Sequence, residues 1–157
     1  MDLILWRHAE AELLRVGSDD MDRVLTSKGE RQAERMAAWL NHRLAASTRV
    51  LVSPAARTRA TAAALTHESG IPAEITPTIA PDAGVDDLLQ AARWPRSVEP
   101  VLLVGHQPAL GMLAARLLCG EDQPWPIKKG AAWWIRSRLR DGQMEVSLRA
   151  VFGPDCL

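Results

Sequence analysis

Cysteine is scarce in this sequence, and its scarcity bears on the redox compartment. The 157 residues include two cysteines, Cys119 and Cys156, and their separation fits no metal-ligand motif. A chain of this length can bury enough apolar surface to be stable without disulfides. We therefore expect a reducing, cytoplasmic location.

The sequence also lacks an excess of charge of either sign. Lysine plus arginine equals aspartate plus glutamate, 19 of each, so the formal net charge at pH 7 is zero. No overall field then attracts the molecule to nucleic acid or to a membrane, and we expect neither as a partner. A preference for an anion must come from a local cluster of side chains.

Long hydrophobic runs are absent as well. No apolar run approaches the roughly 18 residues that a membrane-spanning helix needs. The apolar run at 3–6 is too short for a signal peptide and has no basic residue before it. The length, and an apolar fraction of 47%, are typical of one globular domain, which we place at residues 1–157.

Short apolar strands alternate with helical segments along the chain. Residues 101–104 are apolar at every position, which is typical of a parallel strand covered on both faces. The pattern predicts an α/β fold, a three-layer α/β/α sandwich with a mostly parallel sheet and a C-terminal hairpin that turns at Asp141-Gly142. The predicted strands are 3–6, 50–52, 101–104, 132–135 and 144–152, with at most a short strand within 71–81, and the predicted helices are 28–45, 55–67, 86–93 and 109–118.

Polar residues that can handle a phosphoryl group follow three of these strands. Arg7 and His8 come after the first strand, Arg57 lies one helical turn beyond the end of the second, and His106 follows the strand at 101–104. Ligands of open α/β sheets bind at the carboxyl ends of the strands. We therefore expect two histidines and two arginines to meet at one edge.

This set of side chains suits phosphoryl transfer. Two guanidinium groups can bind the non-bridging oxygens through paired hydrogen bonds, and an imidazole nitrogen can attack phosphorus and hold the group covalently. We expect the arginines to keep His8 neutral and a bound phosphate to raise the pKa of His106, so that His106 acts in its charged form. Phosphoryl transfer needs mainly positioning and charge stabilisation, so we expect neither a metal nor another cofactor. The four histidines have no zinc-ligand spacing.

Four motifs in order resemble the histidine phosphatase (phosphoglycerate mutase-like) superfamily. They are Arg7-His8-Ala9, Leu25-Thr26 with Gly29, Ser53-Pro54-Ala55-Ala56-Arg57 with Thr61-Ala62, and Gly105-His106. The form of residues 104–108 and the short chain are most similar to the SixA-type phosphohistidine phosphatases. The resemblance implies that His8 is the nucleophile, and that Arg7, Arg57 and His106 form the phosphate pocket.

The sequence leaves several roles open. Larger members of the superfamily carry an acidic proton donor, but the matching region at 79–82 lacks that motif, and the candidates are Glu10, Glu12, Asp82 and Asp86. Arg23 is a candidate for phosphate contact, with a surface role as the alternative. We expect Ser53 to cap the helix after it. Trp133 and Trp134 should point to opposite faces of their strand.

The favoured function is removal of phosphate from phosphohistidine in proteins. Without a dedicated acid, an enzyme expels imidazole more easily than an alkoxide, because the conjugate acid of imidazole has a pKa near ~6.5. No long insertion provides a lid, so the site should be open to a side chain on a folded partner. The alternatives are a phosphatase or mutase for small phosphate esters and a non-catalytic phosphate-binding module, against which the intact His8 argues.

Overall fold

A computed structural model describes all 157 residues. Its strands are β1 (Asp2–Arg7), β2 (Arg49–Val52), β3 (Ala73–Ile75), β4 (Val101–Gly105), β5 (Ala132–Arg140) and β6 (Gln143–Phe152), and its helices are α1 (Ser27–Asn41), α2 (Ala56–Ser69), α3 (Val85–Ala92) and α4 (Ala109–Cys119). The six strands form one sheet in the order β3-β2-β4-β1-β5-β6. The first four in this order pair in parallel, and β5 and β6 pair antiparallel. The predicted α/β architecture is confirmed.

The central strands β1 and β4 are buried on both faces. Leu3, Leu5 and Leu103 pack toward α3 and α4, whereas Ile4 and Val104 pack toward α1 and α2. All five side chains have no exposed surface. Each face of the sheet thus buries alternate residues of an apolar strand, which is why these strands show no polar alternation. None of the helices has both the length and the apolar character that crossing a bilayer requires.

Helix α1 begins as the sequence predicts but ends four residues earlier. The side chain of Thr26 accepts a hydrogen bond from the amide of Gly29 at 3.0 Å and caps the helix. A side chain at position 29 would collide with the carbonyl oxygen of Glu10, so the glycine permits close packing of the two backbones. The amides of Arg43 and Leu44 both bond the carbonyl of Leu40, and this tight turn ends the helix.

The C-terminal hairpin turns where the sequence predicts, but its strands differ from the prediction. Asp141 and Gly142 both have positive φ, as the predicted turn requires. Strand β5 extends to Arg140 rather than ending at 135. A bulge opposite Trp134/Ile135 makes Arg149 an extra residue, which interrupts the predicted alternation of β6. The two tryptophans do lie on opposite faces of the sheet.

Candidate active site

The strand order brings the carboxyl ends of β1, β4 and β2 side by side. Strand β4 lies between the other two. Beyond the strands, the amide of His8 donates to the carbonyl of Gly105 at 3.1 Å, and the amide of Ser53 donates to the carbonyl of Val104 at 3.1 Å. His8, His106 and Ser53 are therefore held next to one another by main-chain hydrogen bonds, and Arg57 reaches the same place from the first turn of α2.

Arg7, His8, Arg57 and His106 line one polar cavity of about 370 Å³, and Ser53 lies buried behind it. The structure thus brings together all four residues that the sequence proposed for the site. The complete lining is Arg7, His8, Ala11, Asp20, Arg23, Arg57, Pro81, His106, Gln107 and Lys129. A larger cavity of about 670 Å³ lies between α1 and α2, but no lysine or arginine lines it. Of these two cavities, only the smaller one has the cationic side chains that suit an anion.

His8 is oriented so that one ring nitrogen is free. Its Nδ1 lies 2.8 Å from the carbonyl oxygen of Ala9. A carbonyl only accepts hydrogen bonds, so Nδ1 carries the proton and the neutral ring keeps a lone pair on Nε2. Burial lowers the pKa of His8 to about 4, and the charges of Arg57 and Arg7 act in the same direction. The ring is therefore neutral at pH 7 as expected, although burial contributes more than the arginines do.

The two arginines are fixed by neighbouring main-chain carbonyls. Arg7 donates from Nη1 to the carbonyl of Ile127 at 2.7 Å. Arg57 is buried and donates from Nη1 to the carbonyl of Asp20 at 2.6 Å and from Nη2 to its carboxylate at 2.9 Å. The Nε atoms of both arginines are buried and have no partner in the protein. Both guanidinium groups thus keep donors for an incoming anion.

His106 is held in place by the side chain of Ser53. Its Nε2 lies 2.7 Å from the hydroxyl oxygen of Ser53, and its Nδ1 is buried without a partner. The prediction that Ser53 caps α2 is wrong, because Ala55 occupies the cap position and its side chain cannot accept a hydrogen bond. In the free protein, burial and the charges of Arg57 and His8 lower the pKa of His106 to about 3, so the ring is neutral at pH 7 before a phosphate binds.

The Ser53 hydroxyl selects the tautomer of neutral His106. Ser53 has no exposed surface, and the hydroxyl has no acceptor other than the imidazole. If the hydroxyl donates to Nε2, the proton of the ring sits on Nδ1, which is then a free donor. The opposite arrangement would leave two buried groups unpaired, the hydroxyl proton and the lone pair of Nδ1, and not the Nδ1–H alone, which is more costly. His106 can therefore bind an anion through Nδ1.

We predict that Ser53→Ala lowers kcat/KM about 10- to 100-fold, the usual cost of removing a partner that orients a functional imidazole. The ¹⁵N shifts of His106 should show loss of the single Nδ1–H tautomer. Thr58→Val is the matched control, because the Thr58 hydroxyl bonds the carbonyl of Ser53 and does not touch His106. This control should lose stability but keep its activity and ¹⁵N pattern. An unchanged tautomer in Ser53→Ala would refute this role for Ser53.

The two buried histidines should make the protein less stable below neutral pH. Their pKa values are about 4 and about 3 in the folded protein and 6.5 in the unfolded chain. The unfolded chain therefore binds more protons as the pH falls from 6.5, and the free energy of unfolding falls with it. Between pH 7 and pH 5 we expect a loss on the order of 2 kcal/mol for each histidine.

Urea unfolding at pH 7 and pH 5 measures this loss. His8→Gln should retain only the part of this pH-dependent loss of stability that is due to His106. His42→Gln replaces an exposed histidine and should retain the whole pH dependence. Equal stability of the native protein at the two pH values would contradict the account.

The folded chain adds four polar residues to the cavity, of which the sequence singled out only Arg23. Asp20, Gln107 and Lys129 were missed. Asp20 lies in a charged segment with no periodicity, and only folding shows that it pairs with Arg57. Burial alone would raise the pKa of Asp20, but the hydrogen bond from Arg57 and the charges of Arg57 and Arg23 outweigh it and lower the pKa.

None of the four carboxylates that the sequence offered as proton donors lines the cavity. Glu10 bonds the Thr26 hydroxyl at 3.0 Å and pairs with a lysine, and Asp86 pairs with Arg116. Glu12 lines a neighbouring shallow cavity. Asp82 is exposed, although it follows Pro81, which does line the polar cavity. Asp20 is the only carboxylate in the lining, and no cluster of three or more histidine, cysteine or acidic side chains that could hold a metal is present.

The sheet order, with two histidines and two arginines at its edge, is typical of a class of phosphoryl-transfer enzymes. The sequence model of the histidine phosphatase superfamily, branch 1, matches residues 3–81. The chain belongs to this superfamily, as its motifs suggested.

Individual relatives narrow the comparison. The chain is 33% identical over 128 residues to the phosphohistidine phosphatase SixA of Escherichia coli K12. The alignment covers 79% of this chain and 78% of that protein. The solved structure of the protein histidine phosphatase SixA complexed with tungstate superimposes with a TM-score of 0.81 at 28% identity, over 99% of both chains. A putative SixA of Agrobacterium tumefaciens gives a TM-score of 0.79 at 26% identity, over 98% of this chain and 97% of that one. Together with the family, these relatives make the protein a phosphatase.

Proposed function

We propose that the protein removes phosphate from phosphohistidine side chains of other proteins, through a covalent intermediate on His8. The observation that carries the proposal is the hydrogen bond from Nδ1 of His8 to the carbonyl of Ala9. It fixes a neutral imidazole with its lone pair on Nε2, in a cavity that two arginines and a second histidine also line. The names of the SixA relatives agree with this choice of substrate.

In the first step, Nε2 of His8 attacks the phosphorus atom of the substrate. The new bond joins phosphorus to Nε2, and the bond from phosphorus to the substrate imidazole breaks. The departing nitrogen keeps the electron pair and takes a proton from solvent. Arg7, Arg57 and the Nδ1–H of His106 stabilise the charge on the phosphoryl oxygens.

In the second step, water attacks the phosphorus atom held on His8. The bond between phosphorus and Nε2 breaks, inorganic phosphate leaves, and His8 regains its lone pair. The same arginines serve both steps, because the phosphoryl group stays in place while the group opposite His8 changes from imidazole to water.

The state of Asp20 supports phosphohistidine over phosphate esters. Its pKa is lowered by its contacts with Arg57 and Arg23, so in the free protein the carboxylate is ionised and has no proton to donate. An alkoxide is expelled poorly without a proton donor, whereas imidazole is expelled readily. The site therefore favours a phosphoramidate bond.

We predict that kcat/KM is at least about 10²-fold higher for a histidine-phosphorylated protein than for a small alkyl phosphate. A positioned acid contributes about 10²–10⁴-fold to the expulsion of an alkoxide, and this site provides no such acid. Initial rates of phosphate release from the two substrates, measured in parallel, test this prediction. A higher kcat/KM for the ester, lost in Asp20→Asn, would show that Asp20 supplies the proton and that esters are the substrates.

The proposal includes a cytoplasmic location. Cys119 and Cys156 are both free and exposed, so both thiols are open to oxidation. Thiols of this kind persist in a reducing compartment.

A further inference from the structure

An ordered loop, residues 12–24, borders the catalytic cavity and is here called the site loop. An isolated bridge between Ala11 and Leu25 closes it, and the amide of Glu12 bonds the carbonyl of Val24 at 2.9 Å. Inside the loop, the Asp19 side chain caps a short 3-10 turn, Asp20–Asp22. A closed loop of this length with internal hydrogen bonds presents its side chains in a defined arrangement.

The site loop exposes large apolar side chains. Leu13 is 84% exposed, Leu14 53%, Val16 is fully exposed and Val24 is 58% exposed. Leu13 and Val16 are almost uncovered by the rest of the chain, and about half of Leu14 and Val24 remains exposed. Exposed apolar side chains that cluster in one short segment are typical of an interaction surface, whereas single ones are ordinary.

Two of the exposed side chains, Leu13 and Val24, lie next to the catalytic cavity. A shallow cavity of about 230 Å³ is lined by Leu13 and Val24 among others, and it shares Arg23 with the catalytic cavity. The catalytic cavity, at about 370 Å³, is near the lower end of the volumes of ligand pockets, so it takes a phosphorylated side chain and not the backbone that carries it. The surface of a phosphoprotein must therefore rest on the rim, of which the site loop is a part.

We propose that the site loop is the docking surface for the phosphoprotein substrate, and this inference rests on the proposed function. The occupant is a folded protein with an apolar patch beside its phosphohistidine. The lining of the shallow cavity carries both signs of charge, from the carboxylates Glu12, Asp19 and Asp22 and from Arg15 and Arg23. Charge therefore does not select the partner, and burial of the leucines stabilises the complex.

A comparison of two substrates with the same reacting group tests the proposal. Leu13→Ser/Leu14→Ser should lower kcat/KM at least about tenfold for a folded protein phosphorylated on one surface histidine, mainly through KM, since it removes two apolar contacts. The same variant should hydrolyse free phosphohistidine at the native rate. Val16→Ser, at a fully exposed position, should give a smaller loss of the same kind. Leu139→Ser is the control, because Leu139 is 76% exposed but lies near the hairpin turn, at the opposite end of the sheet.

Each outcome decides one point. Loss of activity on the protein alone supports docking by the site loop. Equal losses on both substrates would show that the leucines support the catalytic site instead, and full activity on both would show that the loop makes no contact with the partner. Either result overturns the inference while the proposed function stands. A native protein that hydrolyses neither substrate would overturn the proposed function itself.

Discussion

Replacing His8 with alanine should lower kcat at least about 10³-fold, because the variant loses the atom that we propose attacks phosphorus. The structure supports a loss of this size, since no other imidazole in the cavity has the same freedom. His106 uses its Nε2 on Ser53, whereas Nε2 of His8 has no partner. Initial rates of phosphate release from a histidine-phosphorylated protein measure the loss.

A matched control separates chemistry from folding. His67→Ala replaces an exposed histidine on α2 and should retain native kcat. His8→Ala should keep the affinity for inorganic phosphate or tungstate within a few-fold, because both arginines remain. Turnover of His8→Ala near the native rate would refute its role as nucleophile.

Replacing Arg57 with alanine should lower kcat/KM about 10²- to 10³-fold, the usual cost of losing one donor to a developing anion. Arg57 is 3% exposed and its guanidinium reaches the cavity from the first turn of α2. Arg57→Lys keeps the charge but loses the planar fork, and it should recover only part of the activity. The steady-state kinetics of the two variants measure both effects.

Arg59 provides the control for this prediction. It lies two residues further along the same helix and is exposed. Arg59→Ala should therefore retain native kinetics. If Arg57→Ala and Arg59→Ala behaved alike, the phosphoryl group would not be bound by Arg57. Because Arg57 also pairs with Asp20, the thermal unfolding of the variants should be compared. Arg57→Lys keeps the positive charge beside Asp20 and therefore serves as a second variant if Arg57→Ala is unstable.

The sequence predicted the sheet and the edge at which the candidate site residues meet, because both depend on local patterns. A strand that is buried on both faces must be apolar throughout, and residues 101–104 are apolar at every position. Side chains directly after parallel strands must share an edge, which brought His8 and His106 together. The end of α1 was not predictable in the same way, because Leu44 continues the apolar stripe after the backbone has left the helix.

The supporting residues of the site could not be predicted because they depend on contacts between distant segments. Asp20 and Arg57 are 37 positions apart, and Ser53 and His106 are 53 positions apart. Ser53 precedes a helix, which favours a capping role on local grounds. Folding instead places its hydroxyl against the imidazole that follows β4. Sequence patterns thus identify the side chains that lie at the carboxyl ends of the strands. They do not identify the hydrogen-bonded partners that orient those side chains.

Rapid-quench trapping of the phosphoryl group on the enzyme tests the central claim most directly. The native protein is mixed with a radiolabelled histidine-phosphorylated protein, quenched with alkali during turnover and mapped by peptide analysis. The account predicts an acid-labile, alkali-stable phosphate on the peptide that contains His8, and none in His8→Gln. Label on a different residue, or steady turnover with no label on the enzyme at any quench time, would contradict it.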